Sequence, residues 1–289
     1  MGANARGNRQ ANACPSEMEA LMWRDNDGAH HYEKGECGYK NSIVRGDNVD
    51  KMRLMPDECI DLTVTSPPYD NLRTYGGHTW NFEAVAKELF RVTKQGGVVV
   101  WVVADATIDG SETGTSFRQA LFFMETGFKL HDTMIWVKDG GGAIGSNFCY
   151  TQNTEYVFVF SKGKPKAVNL IRDKKNLSAG KDKSGVGRRN TDGTHKIEER
   201  KLCADFSVRN NWWLIAPERG EHPAVFPEKL AGDHIVSWSN EGDIVLDPFS
   251  GSGTTCKMAK KLKRHWIGIE INEAYIAISN ERMAQEILC

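Results

Sequence analysis

The segment 59–69 constrains this chain most, because an apolar run ends abruptly there in Ser-Pro-Pro-Tyr. The run 59–64 predicts a buried strand. Pro67 and Pro68 have no N–H to continue a strand ladder, and each fixes φ near about −65°. The strand therefore ends in a rigid turn that presents carbonyl groups, a hydroxyl and an aromatic ring. In open α/β folds, ligands bind at this end of the strands.

Apolar strands alternate with helical segments along most of the chain. Phe82, Val85, Leu89 and Val92 recur at the spacing of one helix face, and the continuous apolar run 98–103 predicts a strand buried on both faces. The alternation predicts an α/β fold with a mostly parallel, doubly wound sheet. The predicted strands are 43–47, 59–64, 98–103, 129–137, 155–160, 208–215, 243–247 and 264–271. The predicted helices are 48–55, 80–93, 116–126, one that begins near Pro227, 254–262 and 272–286.

A second motif follows the strand 243–247, where the sequence continues as DPFSGSGTT. Its Gly-x-Gly turn, Gly251 and Gly253, lets the backbone approach a ligand closely. Thr255-Cys256 stands where a dinucleotide fingerprint has its third glycine, and no Gly-Lys-Ser/Thr phosphate loop is present. The motif therefore disfavours NAD, FAD and nucleoside triphosphates, and the acidic strand end suits an uncharged or cationic ligand.

Two further carboxylates lie at the ends of predicted strands. Glu270 lies seventeen residues after Gly253, where an acid holds both ribose hydroxyls in nucleotide-binding α/β folds. The alternative for Glu270 is a favourable acid at a helix N-terminus. Asp47 follows Gly46 and suits a cofactor hydroxyl or amino group, although a turn-forming aspartate explains it equally well.

The segment 65–69, Thr-Ser-Pro-Pro-Tyr, resembles the catalytic motif of DNA amino-methyltransferases, which use S-adenosylmethionine. The segment 247–255 resembles their S-adenosylmethionine loop. Because the catalytic motif comes first, the order resembles the circularly permuted beta-type arrangement. It differs from protein glutamine methyltransferases, whose Asn-Pro-Pro-Tyr turn follows the cofactor loop. The resemblance covers 42–286 and implies a Rossmann-like, S-adenosylmethionine-dependent methyltransferase fold with a small basic insertion.

The resemblance also implies roles for individual residues. Ser66 and the Pro67 carbonyl accept hydrogen bonds from the target amino group while Tyr69 stacks on the base, and neither a covalent intermediate nor a metal is needed. The target nucleotide leaves the helix stack, because its amino group is otherwise paired. The implied catalytic residues are Ser66, Pro67, Pro68 and Tyr69. The implied cofactor-binding residues are Asp47, Thr65, His222, Phe226, Asp247, Pro248, Phe249, Gly251, Ser252, Gly253, Thr254 and Glu270.

The target base is the main alternative that the sequence leaves open. Serine at the first motif position is usual in this family for cytosine N4, and aspartate or asparagine for adenine N6. A hydroxyl can donate to a ring nitrogen or accept from N–H, whereas a carboxylate only accepts. Ser66 therefore favours cytosine N4, with adenine N6 as the alternative. A DNA-binding protein without catalysis and an enzyme acting on RNA are the other hypotheses.

A basic segment separates the two motifs. Residues 161–201 contain thirteen Lys and Arg against five Asp and Glu, although the whole chain has a net charge of −1. This segment predicts an electrostatic contact with DNA phosphates, and a solvated loop is the alternative. The predicted DNA-binding residues are Arg73, Lys174, Lys175, Lys181, Lys183, Arg188 and Arg189. For the nearby Trp212 and Trp213, we predict packing in the core rather than stacking on a base.

These observations divide the chain into four parts: a flexible N-terminal arm (1–40), a catalytic half (41–160), a basic target-recognition insertion (161–210) and a cofactor-binding half (211–289). The seven cysteines are scattered without a C-x-x-C pair, which argues against a disulfide framework or a zinc site. No Pro-Cys dipeptide occurs, which argues against methylation of a ring carbon. We expect a cytoplasmic protein with no membrane span. Its expected partners are double-stranded DNA and a separately acting restriction endonuclease.

Overall fold

The structure is a computed structural model. It describes residues 37–69, 80–139, 150–182, 190–194, 202–218 and 226–284, together with the paired strands Trp23–Arg24 and His30–His31. Most of the predicted N-terminal arm therefore lies outside the described residues. No helix in these ranges is long and apolar enough to cross a membrane.

One eight-stranded sheet organises the described chain. Its strands are β1 (Ser42–Arg45), β2 (Ile60–Thr65), β3 (Thr93–Val103), β4 (Lys129–Lys138), β5 (Thr154–Ser161), β6 (Trp212–Ile215), β7 (Ile244–Asp247) and β8 (His265–Glu270). The spatial order is β6-β4-β5-β3-β2-β7-β8-β1. Only β5 runs antiparallel to its neighbours in this sheet. The predicted mostly parallel α/β fold is confirmed.

Helices cover both faces of the sheet. They are α1 (Asn48–Arg53), α2 (Phe82–Val92), α3 (Thr115–Glu125), α4 (Glu228–Trp238), α5 (Thr254–Lys261) and α6 (Glu273–Ala284). Helices α1, α2 and α3 pack in one apolar core with Val99 and Trp101 of β3. Helices α4, α5 and α6 pack in the other with Val98 and Val100. Strand β3 is thus buried on both faces, as its unbroken apolar run predicts.

Most predicted boundaries agree with the structure within a few residues, but some details differ. Strand β3 begins at Thr93, five residues before the predicted start at residue 98, and passes through Gly96 and Gly97. Gly96 has a φ of 81°, and the pairing of β3 with β2 shifts register near this point. A bulge of this kind keeps the strand continuous while it bends. Of the two tryptophans predicted to pack in the core, Trp213 is buried but Trp212 is exposed.

Arg209 is one of the residues that bond the basic segment after β5 to helix α4. The Arg209 guanidinium donates to Asp173 within that segment and to Asp233 of α4, at Nη1–Oδ2 2.6 Å. It also lies over the Trp213 ring, 4.9 Å from the centroid. Planar stacking and forked hydrogen bonds are contacts that arginine makes and lysine cannot. The described part of the segment is therefore docked on the fold through Arg209.

Candidate active site

The 66–69 turn begins where β2 ends, at the carboxyl edge of the sheet. Ser66 Oγ lies 2.7 Å from the Tyr69 hydroxyl, which donates to Glu155 Oε2 at 2.6 Å. Glu155 Oε1 pairs with Lys138 Nζ at 2.5 Å. Glu155 is 7% exposed, so this carboxylate is paired and hydrogen-bonded rather than solvated. The motif serine and tyrosine therefore belong to a four-residue polar chain.

The direction of β5 brings Glu155 into this chain of hydrogen bonds. Because β5 is antiparallel, its first residues lie at the same edge as the last residues of the parallel strands. Glu155 is the second residue of β5, and Lys138 is the last residue of β4 beside it. The Lys138 ammonium also lies 5.3 Å from the centre of the Trp136 ring. Two adjacent strands thus supply the charged end of the chain.

The neighbouring strand β7 ends in Asp247, which is joined to the end of β2. The Thr65 hydroxyl donates to Asp247 Oδ1 at 2.7 Å, and Phe249 N donates to the same oxygen at 3.1 Å. Thr255 Oγ1 donates to the Val64 carbonyl at 3.1 Å. Helix α5, which follows the glycine loop, is therefore also bonded to β2. These bonds hold the two sequence motifs side by side.

Burial raises the pKa of the Asp247 carboxyl from its usual 3.8 to about 6. The hydrogen bonds from Thr65 and Phe249 N lower this pKa, and the charge of Glu270 raises it, but desolvation dominates. Among the described residues, no lysine or arginine forms an ion pair with Asp247. The ionised form is therefore a buried negative charge whose environment suits a cationic ligand.

The glycine loop is held between Glu270 and helix α6. Gly251 N donates to Glu270 Oε2, and Asn272 N donates to Oε1, both at 2.8 Å. Gly253 has a φ of 78°, and a Cβ there would collide with Ser279 Oγ of α6. An alanine at this position would therefore be strained as well as crowded. Packing on α6 is thus one reason for the glycine, independent of any ligand.

Arg282 of α6 clamps the outer side of this loop. Its Nη1 donates to the Ser252 carbonyl at 2.8 Å, to Ser252 Oγ at 3.0 Å and to Thr254 Oγ1 at 3.1 Å. Its Nη2 donates to Glu228 Oε1 at 3.0 Å, and Lys257 pairs with the same oxygen at 2.6 Å. The first residue of α4 and the glycine loop are thus fixed to each other through one guanidinium.

An aromatic cluster and an amide flank the Asp-Pro-Phe turn. The Phe249 ring lies 4.9 Å from the Trp80 ring centroid and 6.2 Å from that of Trp101. Asn48 Nδ2 donates to the Pro248 carbonyl at 3.3 Å, while the buried Asn48 Oδ1 has no partner among the described residues. A buried acceptor without a partner is costly unless a ligand donor reaches it. Helix α1 therefore offers an unused acceptor beside this turn.

The structure brings most of the predicted site residues together at the carboxyl edge. Asp47 lies there too, but its side chain caps helix α1, because Oδ1 accepts hydrogen bonds from Val49 N and Asp50 N. Phe226 is half-buried against the core beneath α4. Lys174, Lys175 and Lys181 are exposed in the basic segment. Arg73, Lys183, Arg188, Arg189 and His222 lie outside the described residues.

Sequence reasoning did not identify Glu155, Lys138, Asn48 and Arg282 as part of the site. Glu155 was visible as an acid opening the strand EYVFVF, but its position follows only from the reversed direction of β5. Arg282 lies in a helix that appears ordinary in sequence. No group of three or more His, Cys, Asp or Glu that could hold a metal ion exists within the described ranges.

The buried Asp247 generates a pH-dependent prediction. Because its pKa is raised when the protein folds, protonation stabilises the fold, and that contribution is present below about pH 4 and lost as the pH rises through 6. Asp247→Asn should therefore gain about 3 kcal/mol of unfolding free energy relative to wild type between pH 4 and pH 8. Denaturant unfolding without cofactor measures this gain. Exposed Asp109→Asn is the control, and a gain independent of pH would contradict the assignment.

Comparisons with known proteins agree with this geometry. A family model described as DNA methylase (N6_N4_Mtase) matches residues 60–281. The orphan methyltransferase M.BamHII of Bacillus amyloliquefaciens is 55% identical over 244 residues, covering 80% of this chain and 91% of that protein. The structure of the PvuII DNA methyltransferase (cytosine-N4-specific) is similar with a TM-score of 0.62 at 22% identity, covering 88% of this chain and 92% of that one.

A structure of the M1.HpyAVI–SAM complex is also similar, with a TM-score of 0.56 at 23% identity over 83% of this chain and 98% of that chain. The predicted family and cofactor are thereby confirmed. The N6 and N4 in the name of the matched family refer to methylation of adenine at N6 and of cytosine at N4. The chain belongs to the DNA methylase family, the S-adenosylmethionine-dependent DNA amino-methyltransferases.

Proposed function

We propose that this protein methylates the N4 amino group of cytosine in double-stranded DNA. The observation that supports this most strongly is the 2.7 Å hydrogen bond between Thr65 and Asp247. It joins the strand end before the 66–69 turn to the strand end before the glycine loop. Ser66 is the residue after Thr65, and Asp247 is the residue that leads into the glycine loop. A base amino group at Ser66 and a methyl donor at that loop would then be neighbours.

The cofactor fits the side chains present at the loop. S-Adenosylmethionine, when bound, supplies a methyl carbon made electrophilic by a sulfonium group. Asp247 provides a buried carboxylate for a cationic ligand, and Glu270 provides two oxygens that each accept one backbone amide and retain a further lone pair. The unused Asn48 Oδ1 is a further acceptor. Arg282 and Lys257 would keep α4 and the loop in register around the bound molecule.

The 66–69 turn would act on the base. Ser66 Oγ and the Pro67 carbonyl accept hydrogen bonds from the amino group and hold it in line with the methyl carbon. Acceptors on both N–H bonds draw the nitrogen toward tetrahedral geometry, which frees its delocalised lone pair for attack. The nitrogen would gain the methyl group as the carbon–sulfur bond of the sulfonium breaks to leave a neutral thioether, and its extra proton would pass to water. Positioning of this kind supplies most of the acceleration without a covalent intermediate.

Ser66 supports cytosine as the target base, because a hydroxyl is usual at this position in the family for cytosine N4. Adenine N6 is the second candidate, because one observation weakens the preference of Ser66 for cytosine. Tyr69 donates its one proton to Glu155, so in its 2.7 Å contact with Tyr69 the Ser66 hydroxyl would be the donor and could not also donate to a ring nitrogen. Toward the base, Ser66 would then behave as an acceptor, which suits either amino group.

Double-stranded DNA is the proposed substrate, with the target base turned out of the helix. Lys174, Lys175 and Lys181 are exposed in a segment with a strong positive excess, where they would contact phosphates. Arg209 fixes that segment to α4 and so to the site. A separately acting restriction endonuclease with the same target remains a prediction. The relative M.BamHII is itself named an orphan methyltransferase.

Transfer of labelled methyl from S-adenosylmethionine to unmethylated DNA, followed by nucleoside mass spectrometry, tests this function. We expect N4-methylcytosine in duplex DNA and no label in RNA of the same sequence. N6-Methyladenine would retain the cofactor site and the 66–69 turn but reject the choice of base. Label in RNA alone, or in neither nucleic acid while S-adenosylmethionine still binds, would reject the proposal.

Ser66→Ala tests the role of the turn. We expect kcat to fall about a hundredfold, as for other single hydrogen bonds that act mainly in the transition state, while the Kd for S-adenosylmethionine changes less than about twofold. Exposed Ser111→Ala is the matched control and should leave both quantities unchanged. Equal losses in turnover and cofactor affinity would show that Ser66 supports the loop rather than the base.

A further inference from the structure

The chain from Lys138 through Glu155 and Tyr69 to Ser66 fixes the direction of two hydroxyl protons. An ionised carboxylate can only accept, so the Tyr69 proton points to Glu155 Oε2 across 2.6 Å. A phenol has one proton. The 2.7 Å contact between Tyr69 and Ser66 therefore requires Ser66 to be the donor.

This order leaves the lone pairs of Ser66 Oγ as its remaining hydrogen-bonding capacity. Tyr69 is the hydrogen-bond partner of Ser66 Oγ among the residues that the structure describes. An approaching amino group therefore meets an acceptor. If Glu155 could not accept, the Tyr69 proton would be free to point at Ser66, and the Ser66 proton would then point toward the substrate amino group and repel it.

Lys138 stabilises Glu155 as a carboxylate, which this order of hydrogen bonds requires. Its ammonium lies 2.5 Å from Glu155 Oε1, on the opposite oxygen from Tyr69. A carboxylate that is 7% exposed retains its charge only when it is paired and hydrogen-bonded. Lys138 and Tyr69 satisfy one oxygen each.

We propose that Glu155 and Lys138 are positioning residues for methyl transfer, which act through Tyr69 to present Ser66 as a hydrogen-bond acceptor to the target amino group. This inference rests on the proposed methylation of a base amino group and applies to cytosine and adenine alike. The same contacts hold the Tyr69 ring in one orientation. Glu155 and Lys138 touch neither the base nor the cofactor in this account.

A double-mutant cycle tests the proposal. The variants are Glu155→Gln, Tyr69→Phe and the two combined, and Tyr69→Phe retains the aromatic ring. The measurements are the single-turnover rate of labelled methyl transfer to DNA, the Kd for S-adenosylmethionine and the melting temperature. Asp61→Asn is the control. Asp61 also pairs with a lysine, Lys94 Nζ at 2.7 Å, but it lies at the opposite end of β2 from the 66–69 turn.

We expect each single variant to lose about tenfold in transfer rate, as the loss of one charge-assisted hydrogen bond predicts, with the cofactor Kd within about twofold of wild type. Because Glu155 acts through the Tyr69 hydroxyl, the double variant should lie within about twofold of Tyr69→Phe alone. Asp61→Asn should lower the melting temperature without changing the transfer rate.

Three outcomes would overturn the proposal. Wild-type transfer in Glu155→Gln would show that the carboxylate has no role, and losses that multiply to about a hundredfold in the double variant would show independent roles. If Glu155→Gln fails to fold, Tyr69→Phe alone decides, and an unchanged rate there removes the chain of hydrogen bonds from the mechanism. Inactive wild-type protein would instead reject the proposed function, and this inference with it.

Discussion

The buried hydrogen bond between Thr65 and Asp247 is the interaction on which the rest of the site depends. It connects the ends of two adjacent parallel strands, β2 and β7, at 2.7 Å. Each strand end leads into one of the two sequence motifs, which are about 180 residues apart in the chain. A hydrogen bond to a charged buried group contributes about 1.5–3 kcal/mol, and leaving one partner unsatisfied costs at least as much. The bond therefore fixes the spacing between the two motifs and, in the proposed function, between the methyl donor and its acceptor.

The fold and both motifs were predictable because each depends on local sequence patterns. Two sequence patterns predict strand ends: the apolar run into Ser-Pro-Pro-Tyr and the segment Asp-Pro-Phe-Ser-Gly-Ser-Gly. Parallel strands bring such ends to one edge of the sheet. The roles within those motifs were less accessible. Gly253 is needed for packing on Ser279, and Asp47 caps a helix, although the sequence suggested a ligand for each. Neither observation excludes a ligand, since backbone and carboxylate groups can serve both.

The reversed strand β5 marks the limit of the sequence argument. Nothing local in EYVFVF distinguishes a parallel from an antiparallel strand, so the position of Glu155 beside Tyr69 required the structure. The consequence extends to base choice. From the sequence, the Ser66 hydroxyl could either donate to a ring nitrogen or accept from N–H, whereas the hydrogen-bond order that we infer engages its proton with Tyr69. Residue type alone therefore describes the site less well than residue type with its hydrogen-bond order.

The central claim is that one edge of one sheet holds both the methyl donor and the target amino group. A crystal structure with S-adenosylmethionine bound would test it most directly, through the distance between the cofactor methyl carbon and Ser66 Oγ. One near-attack distance and one hydrogen bond together predict no more than about 6 Å, with the methyl group facing the 66–69 turn. A methyl group directed away from Ser66, or a cofactor bound elsewhere than the loop after β7, would contradict the account.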